Sequence, residues 1–140
     1  MNVRVAQPSS YGWIKDRLGL AVSDKFAAVE VVRDDGTIAG MVGYDNRTPN
    51  SLSLHIAIET PAALRKLVVA GFVGAFELEG KGLVHCLIRT DNERSLRLVR
   101  KLGFRPVALL ADAWSPGVGF VIWEMRKEEC RYLTPARKAA

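Results

Sequence analysis

Asp91-Asn92-Glu93-Arg94-Ser95-Leu96-Arg97-Leu98-Val99-Arg100-Lys101-Leu102-Gly103-Phe104 is the stretch that decides the fold of this chain. It reads as one short helix with both ends written in. Thr90, Asp91 or Asn92 offers a side-chain oxygen for the N-cap, and Glu93 sets a negative charge against the positive end of the helix dipole. Gly103 suits the left-handed residue that ends a helix, and Phe104 opens an apolar run behind it. Just before, residues 83–89 (Leu-Val-His-Cys-Leu-Ile-Arg) read as a buried strand. The local pattern is therefore strand, Asn-started helix, Leu-Gly-Phe.

Upstream, Thr60-Pro61 predicts another helix start, with Thr60 at the cap and Pro61 at the first helical position. Leu64, Leu67, Val68, Gly71, Phe72, Ala75 and Phe76 follow at helical spacing, and Gly80 and Gly82 close the segment. Val69, Ala70 and Val73 make the other side apolar too. Such a helix needs cover on more than one face, from the core or from a homodimer or partner interface. Residues 51–59 alternate, with Leu52, Leu54, Ile56 and Ile58 on one side and Ser51, Ser53, His55, Ala57 and Glu59 on the other. Residues 26–32 and 38–44 read as two strands joined at Asp34-Asp35-Gly36, a hairpin signal. A first strand at 3–6 and a helix capped by Ser9 or Ser10 and broken by Gly19 come before them. Residues 104–110 and 120–125 are the last two strands, with Asp112, Trp114 and Ser115-Pro116-Gly117 in the loop between. The order is strand, helix, three strands, helix, strand, helix, two strands, which predicts an α/β domain with helices on a mixed sheet.

The totals agree. A chain of 140 residues, 49% hydrophobic and 25% charged, is long and apolar enough for one packed domain. We assign it to residues 1–133, with a charged tail at 134–140. No apolar run reaches the ~20 residues that span a bilayer, so no membrane role is expected. Met1-Asn2-Val3-Arg4 has no secretory pattern, and Cys86 and Cys130 are too few for a disulfide framework; both point to reduced thiols and a cytoplasmic protein. The net charge of +5 favours an anionic partner. The basic residues are not interleaved with aromatics, which argues against nucleic acid.

Strand, Asn92-led helix and Leu102-Gly103-Phe104, in this element order, resemble the GCN5-related N-acetyltransferase (GNAT) superfamily over almost the whole chain. The resemblance implies a mixed, mostly antiparallel sheet flanked by helices. It also implies acetyl transfer from acetyl-coenzyme A to a primary amine, on a small molecule or on a protein lysine or N-terminus, and no metal. A narrower likeness, from Glu59 to Tyr132 and including Met125-Arg126-Lys127-Glu128-Glu129-Cys130-Arg131-Tyr132-Leu133, is to GNAT-like proteins encoded by bacteriophages, which would place the chain in a host cytoplasm.

In the family, coenzyme A lies between two strands that splay apart, and its pyrophosphate sits on the N-terminus of the next helix. Free N–H groups and the helix dipole favour an anion there. Carried over, the strand is His55-Ile56-Ala57-Ile58-Glu59, parting after Ile56, and the helix start is Thr60-Pro61-Ala62-Ala63-Leu64-Arg65-Lys66. Two features depart from the family pattern. Its Arg or Gln followed by two spaced glycines becomes Thr60, Ala63 and Arg65, with Arg65 or Lys66 able to supply charge. The Tyr that protonates the departing thiolate becomes Val99, with Ser95 about one turn earlier as the only hydroxyl nearby. Asn92 and Ser95 would border the sulfur.

Amine attack on a thioester needs a base. Glu59, at the strand end, is the first candidate, His55 on the same face the second, and Asp112 the third. Each also has a structural reading, as a helix-start polar group, a satisfied strand histidine or a loop carboxylate. Arg94, Arg97 and Lys101 share a helical face that is either solvated or contacts the cofactor's phosphates or an acidic partner. The acceptor surface would come from Trp13, residues 45–50, Trp114 and Pro116. The alternative function is a catalytically weak or inactive GNAT-like protein that grips a host or viral protein.

Overall fold

The structure, a computed structural model, describes residues 1–134. Six of the seven residues assigned to the tail lie outside the described residues. The seven strands form one sheet in the order β1-β2-β3-β4-β5-β7-β6. They are β1 (Asn2–Val5), β2 (Ala27–Val32), β3 (Ile38–Asp45), β4 (Ser51–Ile58), β5 (Leu83–Arg89), β6 (Arg105–Ser115) and β7 (Val118–Arg126). All neighbours run antiparallel except β4 and β5. The helices are α1 (Tyr11–Leu18), α2 (Leu64–Val73) and α3 (Glu93–Leu102). The expected element order is therefore the observed one.

The caps of α3 behave as their residues dictate, whereas the expected serine and threonine caps do not form: Ser10 before α1 and Thr60 before α2 make no side-chain cap bond. Asn92 Oδ1 accepts from the Ser95 N–H at 3.2 Å, and Gly103 (φ 102°) ends α3 in the left-handed region. Gly19 (φ 64°) does the same for α1. Pro61 opens a 3-10 turn, Pro61–Ala63, which leads into α2. That helix runs on into a π-turn, Gly74–Leu78, whose first residue is a glycine because a Cβ there would lie too close to Tyr44 Oη. The Tyr44 hydroxyl donates to the Gly71 carbonyl at 2.8 Å, so β3 and α2 are fastened by a buried hydrogen bond.

Strand alternation sorts the side chains into two layers. Leu52 and Leu54 of β4, and Val84, Cys86 and Ile88 of β5, join the main core with Phe72 and Phe76, under α2 and α3. Ala57 of β4 joins a smaller core with Ile14, Met41 and Phe26, under α1. The apolar helix α2 buries Leu67, Val68, Gly71 and Phe72 in the core, and Val69, Ala70 and Val73 on its other side are half-buried.

One expectation needs correction. Residues 105–115 are one long edge strand, so Asp112 and Trp114 stand on β6 and only Pro116-Gly117 turn. A bulge accommodates this: the β6–β7 register breaks between Leu110 and Ser115, and Asp112 has φ 59°. Past β7 the chain stays packed against the domain. Cys130 and Leu133 are buried, and Tyr132 stacks on Phe72 with ring centroids 5.3 Å apart. The Arg131 guanidinium donates to the Lys101 carbonyl at the C-terminus of α3, a favourable place for a cation.

Candidate active site

β4 and β5 are paired at only three positions, Ser51–Leu83, Leu52–Val84 and Ser53–His85. Both strands continue past the last of these without each other. The parting thus comes after Ser53, three residues earlier than the sequence implied. β4 stays bonded to β3 on its far side. The Glu59 N–H donates to the Ala39 carbonyl at 2.9 Å, which fixes Glu59, Ala57 and His55 as the residues that exchange hydrogen bonds with β3. In an antiparallel ladder the alternate residues point their amides and carbonyls the other way. Ile56 and Ile58 therefore turn their backbone groups toward the gap.

A cavity of about 530 Å³ occupies the gap and opens on both faces of the sheet. On the α3 side its walls are Leu54, Ile56, Cys86, Ile88, Val99 and Phe104, with Asn92 and Ser95 as the polar groups. On the α1 side they are Leu18, Leu20, Leu87, Trp114 and Phe120, with His55 and Arg89. The register explains the division. Arg89 faces Phe120 across β5–β7, and Phe120 faces Leu110 across β6–β7, so these side chains share the side opposite the main core.

His55 is the titratable group best placed to take a proton. Burial pushes its pKa down, the Asp45 carboxylate pulls it back up, and His85 pushes it down again. The result lies below the ordinary histidine value, so the imidazole is neutral at pH 7. His85 sits behind it on the same face, its Nδ1 3.4 Å from Ser53 Oγ, and burial lowers its pKa as well. Burial raises the Asp45 carboxyl, but hydrogen bonds from Ser23 (2.5 and 2.9 Å) and from the Asn46 N–H (3.0 Å) more than offset this, leaving it a carboxylate. The Cys86 thiol, on the other face, is pushed up to about 12 by burial and stays protonated.

The structure brings His55, Ile56, Asn92 and Ser95 to one cavity, and places the other candidates elsewhere. Glu59 stands outside the lining, with Oε2 3.5 Å from Arg17 and 3.9 Å from Arg33. Asp112 accepts the Gly117 N–H at 2.8 Å within its own hairpin. Ala57 faces the smaller core. Ala63 is buried in the main core and Leu64 packs against it, so neither side chain faces a ligand. In the first turn the Ala63 and Leu64 N–H groups already bond to the Thr60 and Pro61 carbonyls, which narrows the anion site. Thr60 makes no side-chain cap. Lys66 Nζ donates to the Met1 carbonyl at 2.8 Å, and Arg65 is exposed beside it.

Sequence reasoning missed the β5 wall and residues 18–21. The one available signal was Leu87. It alternates with His85 and Arg89 rather than with the buried Val84, Cys86 and Ile88, and it is 49% exposed at the cavity wall.

The mixed sheet with β4 and β5 split, and a helix N-terminus following the free strand, is the arrangement that the resemblance to the GNAT superfamily implied. No sequence model of a protein family matches the chain, and no curated protein matches it. Solved structures do. A mutant spermidine N-acetyltransferase from Vibrio cholerae superposes with a TM-score of 0.75 at 12% identity, covering 97% of this chain and 99% of that one. The Vibrio cholerae enzyme in complex with CoA and spermine gives 0.75 at 11% identity, covering 95% and 98%. A dodecameric structure of that enzyme gives 0.73 at 11% identity, covering 91% and 94%. At such identity the likeness establishes the fold. No helix among the described residues is long and apolar enough to cross a membrane.

Proposed function

We propose that this protein transfers an acetyl group from acetyl-coenzyme A to a primary amine. One observation carries the proposal. The sheet is open where the backbone of Ile56 and Ile58 is free on the β5 side, and the opening is a cavity rather than packed side chains. A pantetheine arm is a chain of amides that needs such an edge, and it fits an apolar slot with few polar groups. A role limited to gripping a protein would leave that slot without a use.

Acetyl-coenzyme A supplies an activated thioester. The chain's own residues do the rest. The α3-side walls hold the arm, and the helix N-terminus with Arg65 offers the charge for the phosphates. The acceptor enters from the α1 side. His55, neutral and on that side, takes the proton from the attacking nitrogen as the new C–N bond forms and the C–S bond breaks. The Ser95 hydroxyl, or water near it, returns a proton to the sulfur, with the Asn92 amide beside it. Much of the acceleration comes from holding the two reactants in register. The likeness of the C-terminal block to bacteriophage proteins suggests a host cytoplasm as the setting.

Calorimetric titration with acetyl-coenzyme A, followed by a thiol-release assay with a panel of amines, tests the proposal. Saturable binding and amine-dependent release of coenzyme A support it. No heat and no thermal shift at millimolar ligand would remove it.

A further inference from the structure

We propose that the acceptor is an amine carried on an apolar body of aromatic size, with no second positive charge. This rests on the acetyl-transfer reading and adds the substrate class. The acceptor half of the cavity is walled by Leu18, Leu20, Leu87, Trp114 and Phe120. Leu87 and Trp114 are 49% and 56% exposed, although each lies against this space. Trp114 and Phe120 meet edge to face, with centroids 6.1 Å apart and ring planes at 87°. An aromatic ring entering here extends that cluster and removes apolar surface from water.

The charges point the same way. No Asp or Glu among the described residues lines the cavity. Carboxylates outside the lining have other work, Glu124 opposite His85 being paired with Arg105 and Arg126. Asp45 is held by Ser23 and Asn46, and Glu59 by Arg17 and Arg33. Asp91 forms a two-point pair with Arg89, at 2.8 and 3.0 Å, and Asp112 binds the Gly117 amide. Among the described residues the one permanently charged side chain in the lining is Arg89, whose guanidinium lies 4.4 Å from the Trp114 ring centre. A polyamine entering this space would desolvate several ammonium groups with no carboxylate of the lining to receive them, since Arg89 is already paired with Asp91. One amine beside His55, with an apolar body against Trp114 and Phe120, meets no such penalty. The site therefore departs in chemistry from the neighbour bound to spermine, while sharing its fold.

The test uses 2-phenylethylamine and spermidine as probes, in binding titrations with and without coenzyme A and in thiol-release kinetics. The expected result is that 2-phenylethylamine binds and is acetylated with kcat/KM at least about ten-fold above spermidine. Trp114→Ala should weaken 2-phenylethylamine about ten-fold and leave coenzyme A binding unchanged. Leu87→Glu should reverse the preference by placing a carboxylate in the wall. Spermidine preferred by the wild type, or 2-phenylethylamine binding that ignores both substitutions, overturns the proposal. If 2-phenylethylamine binds with the expected sensitivity but coenzyme A gives no heat, the ligand class stands and the acetyl-transfer reading fails. If coenzyme A binds and spermidine is the better acceptor, the reverse holds.

Discussion

Ser53 and His85 are the last residues at which β4 and β5 face each other, and Ser53 Oγ lies 3.4 Å from His85 Nδ1. This contact closes the inner end of the gap. Beyond it the sheet is held only from outside, by β3 on one flank and β7 on the other. His55 lies one pleat further along β4, on the same face as His85 and at the cavity wall. The fold thus sets a neutral imidazole where the opening begins.

That placement separates the two candidate bases. His55→Gln should lower kcat by about 10²-fold or more, the scale of one acid–base contact, with coenzyme A affinity unchanged. Glu59→Gln should leave kcat within about two-fold, because the carboxylate lies outside the cavity and is engaged by Arg17 and Arg33. Steady-state kinetics with calorimetry on both variants checks this. The opposite ranking would reinstate Glu59.

The same histidines make stability depend on pH. His55 and His85 both have folded pKa values below the ordinary one, with burial as the main cause. Above pH 6.5 they are neutral in the folded and unfolded chains, and their contribution is fully present. As pH falls below 6.5 the unfolded chain takes up protons that the fold refuses, so the unfolding free energy drops until the folded pKa values are passed. Asp45 has a lowered folded pKa too, and its contribution is lost at lower pH, as protonation overtakes its bonds to Ser23 and Asn46. Urea unfolding between pH 7 and 5 should show the first decline, and a His55→Gln, His85→Gln double variant should flatten it.

How much of this was legible depends on whether a feature is local. Helix α3, with Asn92 at one end and Gly103 at the other, is written in consecutive residues, as are the alternation of β4 and the Asp34-Asp35-Gly36 turn. The length of β6 was not. Asp112 and Ser115-Pro116-Gly117 carry loop chemistry, and only the β7 register shows that the strand bulges and continues past it. The start of the gap was also hidden, since three-position pairing between strands some 30 residues apart leaves no mark on either. Glu59 looked free because Arg17 and Arg33, which engage it, lie far away in the sequence.

Gly119 shows how tightly the wall beside the cavity is built. A Cβ there would lie 2.2 Å from the Leu110 carbonyl oxygen, a backbone atom that cannot swing away. The Gly119 carbonyl also accepts the Thr90 N–H at 3.0 Å, tying β7 to the loop that leads into α3. Gly119→Ala should destabilise the fold by about 1–3 kcal/mol and displace Phe120, its neighbour in the cavity lining. Urea denaturation should show the first effect, and weakened amine acceptance with near-normal coenzyme A binding the second.

The edge of the sheet furthest from the site holds the last test. Glu30 is fully buried on β2, and its Oε2 accepts from Arg4 Nε and Nη2 at 3.1 and 3.0 Å across the β1–β2 pair. Its Oε1 has no hydrogen-bond partner. Desolvating a carboxylate is tolerable while the guanidinium stays beside it, and the missing partner on Oε1 means the pair is far from ideal. Arg4→Met should cost on the order of 3 kcal/mol, because it strands the charge. An Arg4→Met, Glu30→Met double variant should recover most of that loss or exceed wild-type stability, because two apolar side chains replace an imperfect ion pair. Denaturant midpoints for the two single variants and the double one complete the cycle. A coupling energy near zero would mean that Arg4 does not set the cost of burying Glu30.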